Sequence, residues 1–240
     1  MQKKRLILAL LAGVAMSGAA QAALHDRGSG LIYDDVLNLT WLADANYAKT
    51  SGYDADGLMT WANAVTWADN LVYHDSVRNV DYSDWRLPTV SPINGTAFNY
   101  NYSASGTTDY GYNVSAPGTA YAGGKGSEMA HLFFNDLGNK AYYNASGTPQ
   151  SGYGVTNAGP FQNLQSYVYW SGTEYAPSSG SAWYFYTSQG VQNYDGKGYN
   201  YYAWAVRPGD VAAAPVPEAE SYALLALGMG LTGWLARRRG

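Results

Sequence analysis

Glu128 and His131 stand in an E-x-x-H spacing, which on a helix places a carboxylate and an imidazole on one face. Such a pair could bind a metal or move a proton. A di-metal carboxylate centre needs a second such motif and further glutamates, and this chain supplies neither. A helix-start glutamate and a half-exposed histidine are therefore the expected roles, and His25, His74 and His131 are the only histidines. Asp54-Ala55-Asp56-Gly57 is a fragment of an oxygen-ligand loop, with Asp34, Asp35, Asp81, Asp84, Asp195 and Asp210 as further carboxylates expected at the surface. Calcium takes roughly six to eight oxygens, so a structural calcium is one expectation for these aspartates and solvated turn residues the other. Gly228-Met229-Gly230-Leu231-Thr232-Gly233 matches G-x-G-x-x-G formally. It lacks the preceding strand and the acidic residue about 20 positions on that a dinucleotide site requires. With no cysteine in the chain, thiol catalysis, cysteine metal sites and disulfides are excluded together. No catalytic residue and no metal ligand set is assigned.

The remaining chemistry lies in the aromatic stretch Ser166 to Asp210. Tyr169, Tyr184, Tyr186 and Tyr201 share one phase of its period-two alternation, with Tyr194 and Tyr199 in an adjoining loop. Tyrosine offers an apolar face to sugar C–H groups and a hydroxyl for hydrogen bonds. These six are the candidate ligand-binding residues, and an extracellular polysaccharide is the candidate ligand. The opposite phase, Val168 with Trp170, Trp183 with Phe185, and Tyr202 with Trp204 and Val206, reads as the core face. A second core layer beneath long loops is the plainer role for the tyrosines.

Leu31 to Tyr33 and Leu39 to Leu42 predict an opening hairpin. Leu58, Ala62, Val65 and Val72 predict an amphipathic helix over Leu58 to Val72, with Asp56 and Gly57 at its cap. In Asp84-Trp85-Arg86-Leu87-Pro88-Thr89 the proline keeps Leu87 extended, and Arg86 is expected to pair with Asp84 or Asp81. Ser91 to Gly126 is nearly free of Leu, Ile and Val and reads as a long surface loop or a partly ordered insertion. Ser127 caps a second helix, Glu128 to Leu137, ended by Gly138, and Tyr142 to Asn163 is a second polar loop.

The two ends carry sorting information. Residues 1–23 run from Lys3, Lys4 and Arg5 through an apolar stretch to Ala20-Gln21-Ala22, a secretory signal peptide with an A-x-A cleavage site. At the other end Val216-Pro217-Glu218 precedes an apolar run, Tyr222 to Leu235, and the cluster Arg237, Arg238 and Arg239. The run is shorter than the roughly 20 residues of a comfortable span. It suits a thinned bilayer, with the arginines held on the cytoplasmic side. Between the ends lies a region of about 195 residues, one domain's worth, joined to the tail by an Ala/Pro linker at residues 211–217. Without the terminal charges it holds 8 Lys+Arg against 16 Asp+Glu, a net charge of about −8, so nucleic acid is not an expected partner.

Val216-Pro217-Glu218, the apolar segment and the terminal arginines resemble the PEP-CTERM sorting signal (residues 216–240), with Ala219 where a second proline is usual. That resemblance implies exosortase as a partner, transient anchoring in the inner membrane and delivery to the cell surface or beyond. DWRLPT at Asp84 to Thr89, YWSGTEY at Tyr169 to Tyr175, AWYFYTSQGVQ at Ala182 to Gln192 and YAWAVRPG at Tyr202 to Gly209 resemble the Lcl C-terminal domain (DUF1566) family over residues 24–210. The resemblance implies an α+β, C-type-lectin-like fold with two helices, a twisted antiparallel sheet and long polar loops. Related formylglycine-generating enzymes need cysteines, and founding members bind sulfated glycans through basic surfaces; this chain has neither feature. The expected function is a non-catalytic interaction module of the surface or biofilm matrix. An exported polysaccharide-acting enzyme and a purely structural surface protein are the alternatives.

Overall fold

The computed structural model describes Leu24–Val211. The signal peptide, the Pro-Glu box and the apolar tail lie outside the described residues. Three opening strands, β1 (Leu24–Asp26), β2 (Leu31–Asp34) and β3 (Leu39–Leu42), pair antiparallel as the hairpin pattern predicts. A turn of helix, α1 (Tyr47–Thr50), and the short strand β4 (Leu58–Met59) lead into α2 (Trp61–Asp69). Then come β5 (Tyr73–Asp75), β6 (Val80–Tyr82), β7 (Tyr102–Ser103) and β8 (Tyr110–Tyr112). Helix α3 (Glu128–His131) continues as a π-helical turn over Leu132–Asp136. The aromatic stretch supplies β9 (Val168–Glu174), β10 (Ser181–Tyr186), β11 (Val191–Gly196), β12 (Tyr201–Tyr202) and β13 (Val206–Pro208).

Among the described residues these strands form a four-stranded sheet in the order β1-β2-β3-β13, a seven-stranded sheet in the order β4-β12-β9-β10-β11-β8-β7, and the β5-β6 hairpin. The architecture is α+β and rich in sheet, with few and short helices. The core lies between the two larger sheets and α3, where Trp41, Phe161, Tyr169 and Trp204 meet edge-on or tilted. Phe133 and Phe134 bring the α3 segment down on Phe185.

The first predicted helix begins later than its apolar spacing implies. Leu58 and Met59 are extended because they pair with Tyr202 and Tyr201, and Thr60, not Asp56 or Gly57, caps α2 by accepting from the Asn63 amide. The buried stripe is Ala64, Trp67 and Ala68, while Val72 is exposed. Ser127 does cap α3, accepting from the Ala130 amide, and Gly138 follows its end with φ of 65°.

Ser91 to Gly126 departs further from its expectation as a loose surface loop. It contributes β7 and β8 to the large sheet, and Tyr112, Val114 and Ala116 to the buried core. Tyrosine and phenylalanine do the work usually given to Leu, Ile and Val: Phe98 and Tyr100 stack on the fully buried Trp183. Buried Asp109 ties the segment internally, accepting from the amides of Ile93 and Asn99. At Gly111 the backbone has φ of 129°, and a Cβ there would lie 1.9 Å from the Ser103 carbonyl oxygen, so β7 and β8 can approach only over a glycine.

The two faces of the aromatic sheet are also reassigned. Tyr184 lies opposite Trp170, Phe185 opposite Tyr169, and Tyr202 opposite Tyr169. Residues directly opposite one another share a face. Tyr169, Tyr202, Phe185 and Trp183 therefore stand on the inner face, and Trp170 joins Tyr184, Tyr186 and Tyr201 on the other. Alternation within each strand was legible; which phase of one strand matches which phase of the next depends on register, which alternation does not specify.

Candidate functional site

The six candidate tyrosines divide three ways. Tyr169 is fully buried, its hydroxyl accepting from the Gln165 amide, and it belongs to the core. Tyr194 lies in β11, not in a loop, and stacks on Tyr175 with ring centroids 3.6 Å apart and planes at 9°. The other four stay together. Tyr184 and Tyr201 pack over buried Trp170, with Tyr184 and Tyr201 centroids 5.5 Å apart. Tyr199 lies parallel to Tyr201 at 6.2 Å and is 58 % exposed.

Tyr167 completes the arrangement. It is 43 % exposed and sits edge-on to Tyr186, Tyr201 and Tyr202 at 6.0, 6.1 and 6.1 Å. The result is a continuous ledge, Tyr186–Tyr167–Tyr201–Tyr199, half-buried at Tyr186 and Tyr201 and open at Tyr167 and Tyr199. Tyr167 is not among the six sequence candidates; it stands just before β9, where alternation does not show which ring reaches the surface. The segment forms here because aromatic and β-branched residues suit a pleated strand, and Gly190, with φ of 63°, lets β10 reverse into β11.

The ledge is set chemically as well as sterically. The Tyr201 hydroxyl donates to Asp195 Oδ2 at 2.7 Å. Burial first, and then that hydrogen bond to a carboxylate, push the Tyr201 phenol well above its ordinary value, and burial does the same for Tyr184. Both phenols are thus neutral hydrogen-bonding groups at any physiological pH. Beside the ledge, Trp61 donates its indole hydrogen to the Ser171 carbonyl and carries the Lys197 ammonium 4.4 Å above its ring. On the flank marked by Tyr202 opens a cleft of about 310 Å³ lined by Asn46, Lys49, Thr50, Asn163 and Gln165. Amides, a hydroxyl and an amine line it, with no carboxylate. Asn163 holds a positive φ of 54° at its rim, a conformation that costs a non-glycine residue energy.

The other candidate groups are occupied elsewhere. Glu128 binds Arg86 through both oxygens at 2.7 and 2.8 Å and accepts from the Thr89 amide, so Arg86 does not pair with Asp84 or Asp81 as expected. Asp84 instead binds Arg207, and Asp81 binds His74. His131 is 2 % exposed, not half-exposed, and turns away from Glu128 toward the Gly124 carbonyl and Asp136. Of the aspartates considered for calcium, Asp54 accepts from the amides of Asp56 and Gly57, Asp35 pairs with His25, Asp210 with Arg27, and Asp34 is fully buried. Burial opposes ionisation of Asp54, but these amide hydrogen bonds outweigh it and lower its pKa. Among the described residues no three His, Asp or Glu side chains stand where they could hold a metal ion together, and no helix is long and apolar enough to cross a membrane.

No curated protein and no solved structure matches the chain. The family model of the Lcl C-terminal domain matches residues 30–207, which takes in every strand from β2 to β12 and both ends of the tyrosine ledge. On that match, which covers well over half of the sequence, the chain belongs to the Lcl C-terminal domain family.

Proposed function

We propose that this domain is a non-catalytic glycan-binding module of C-type-lectin-like fold, exported by its signal peptide and processed by an exosortase. It would act at the cell surface or in the extracellular polysaccharide matrix. The observation that carries the binding reading is the ledge Tyr186–Tyr167–Tyr201–Tyr199 beside a polar cleft. Stacked rings give sugar C–H faces an apolar surface, and neutral phenols, amides and Thr50 meet hydroxyl groups without the desolvation cost of a charge. The scarcity of free acid–base groups supports binding over turnover: Glu128, Asp84, Asp195 and Asp210 each serve a structural contact. Sorting rests on residues 1–23 and 216–240, read from sequence.

Affinity electrophoresis in gels containing extracellular polysaccharide, backed by a glycan array, tests the binding reading. Replacing Tyr167 and Tyr199, the two exposed rings, by alanine is expected to weaken retention about tenfold each, a change of ~1.4 kcal/mol. Both rings project from the surface, so the fold should tolerate their loss. Unchanged retention of the double variant removes the ledge as a binding site, and release of reducing sugar without retention points to an enzyme instead. For sorting, cell fractionation should find the tail-processed protein outside the cytoplasm; intact full-length chain in the cytoplasm contradicts export.

A further inference from the structure

Away from the ledge, one buried junction gathers ionisable side chains with no hydrogen to share among them. Asp34 ends β2, His131 ends α3 and Asp136 ends the π-helical turn, and they are 0 %, 2 % and 8 % exposed. Asp34 Oδ1 accepts from the amides of Val36 and Leu37 at 3.0 and 2.9 Å, while its Oδ2 and both oxygens of Asp136 have no hydrogen-bond partner among the described residues. His131 Nδ1 lies 3.2 Å from the Gly124 carbonyl oxygen, which can only accept. That nitrogen therefore carries the ring hydrogen, and in a neutral ring Nε2 is a bare lone pair. Nε2 is 3.5 Å from Asp136 Oδ1 and has no hydrogen-bond partner of its own.

With both carboxyls ionised and the ring neutral, these buried groups would present only acceptors to the junction. Carboxylates cannot donate to each other, so burying two of them at one junction favours retention of a proton. We propose that Asp34 and Asp136 share one proton next to a neutral His131, and that this proton fastens the opening strands, the loop carrying Gly124 and the α3 segment to one another. The other charged groups facing the junction are Asp35, whose charge favours retention of the proton, and Lys125, whose ammonium donates to the Val36 carbonyl and whose charge keeps His131 neutral. Burial, and next the Asp34 charge, push the Asp136 carboxyl up to about 8, and burial lowers His131.

The sign of the resulting pH dependence follows. Asp136 titrates higher folded than unfolded, so its contribution is full below about pH 4 and is lost as pH rises to about 8. His131 titrates lower folded than unfolded, so its contribution is present above its ordinary 6.5 and is lost as pH falls. Between pH 7 and pH 8 only the first changes.

Urea unfolding of the full domain at pH 7, 8 and 9 is the test. The unfolding constant of the wild type is expected to rise about fivefold from pH 7 to pH 8 and about tenfold by pH 9. Asp136→Asn, whose amide supplies the hydrogen permanently, should be level across this range. Equal slopes in the two proteins overturn the proposal. If Asp136→Asn does not fold, carbon-13 titration of the wild-type carboxyls decides: an Asp136 midpoint near 8 supports the shared proton, and a midpoint near 4 overturns it.

Discussion

Replacing Trp204 by alanine should cost about 3–5 kcal/mol of unfolding free energy, the range for removing a large aromatic from a packed core. Trp204 is 3 % exposed, and its ring stands 4.9 Å from Trp41, 4.8 Å from Phe161 and 5.8 Å from Tyr169. Trp41 belongs to the small sheet and Tyr169 to the large one, so this single ring bonds the two sheets. Its indole also donates to the Leu42 carbonyl at 2.8 Å, an acceptor the variant leaves buried and unpaired. Trp204→Phe keeps most of the volume and loses only that hydrogen bond and part of the packing. It should fall about midway between wild type and alanine. Urea midpoints at constant slope measure both; a Trp204→Ala loss below about 1 kcal/mol would show that the sheets hold together without it.

Arg78→Ala should be comparably damaging, about 3–5 kcal/mol, because it strands a buried charge. The Asp75 side chain is 0 % exposed and that of Arg78 8 %, with Nη1 donating to Oδ2 at 2.6 Å. Asp75 Oδ1 accepts from the amides of Val77 and Arg78, and Arg78 Nη2 donates to the Arg27 carbonyl at 2.7 Å, clamping the β5-β6 hairpin to the turn between β1 and β2. Burial opposes ionisation of Asp75, but the Arg78 hydrogen bond and the two amides outweigh it and hold its pKa below 3.8. A depressed carboxylate stabilises above about pH 4, and that contribution is lost as pH falls. In Arg78→Ala the Asp75 charge loses its partner, so the variant should lose less stability on acidification than the wild type. The double variant Asp75→Asn, Arg78→Met, which removes both charges, should be less damaged than Arg78→Ala. Greater damage in the double variant would mean that packing, not the stranded charge, sets the cost.

What the sequence disclosed was what is decided locally. The opening hairpin, the Ser127 cap and the Gly138 stop depend on neighbours a few residues away, and they stand as read. Arg86 was assigned to a nearby carboxylate, but its partner Glu128 is 42 residues on, and nothing in the intervening chain announces the pairing. Ser91 to Gly126 was underestimated because an aliphatic count misses aromatic burial; Phe98, Tyr100 and Tyr112 are core or core-facing residues in a segment with little Leu, Ile or Val. The site was half legible. Composition flagged tyrosine as the binding chemistry, and Tyr184, Tyr186, Tyr199 and Tyr201 do lie together, but Tyr169 and Tyr194 were assigned without the register that separates them. The Asp34–Asp136–His131 junction joins residues about 100 positions apart in the chain and left no mark in any motif.

The small sheet carries a consequence for how the domain can be combined with other chains. Its order, β1-β2-β3-β13, puts the first and last strands of the domain in one sheet, and Arg27 grips Asp210 through two hydrogen bonds of 2.9 and 2.7 Å. The polypeptide thus enters and leaves at one place. A unit whose ends already meet behaves as a cassette: it can be spliced into a surface loop of another protein with little loop-closure entropy. It can also be circularly permuted, with a short linker joining its ends and new termini opened in the exposed turn at residues 176–180.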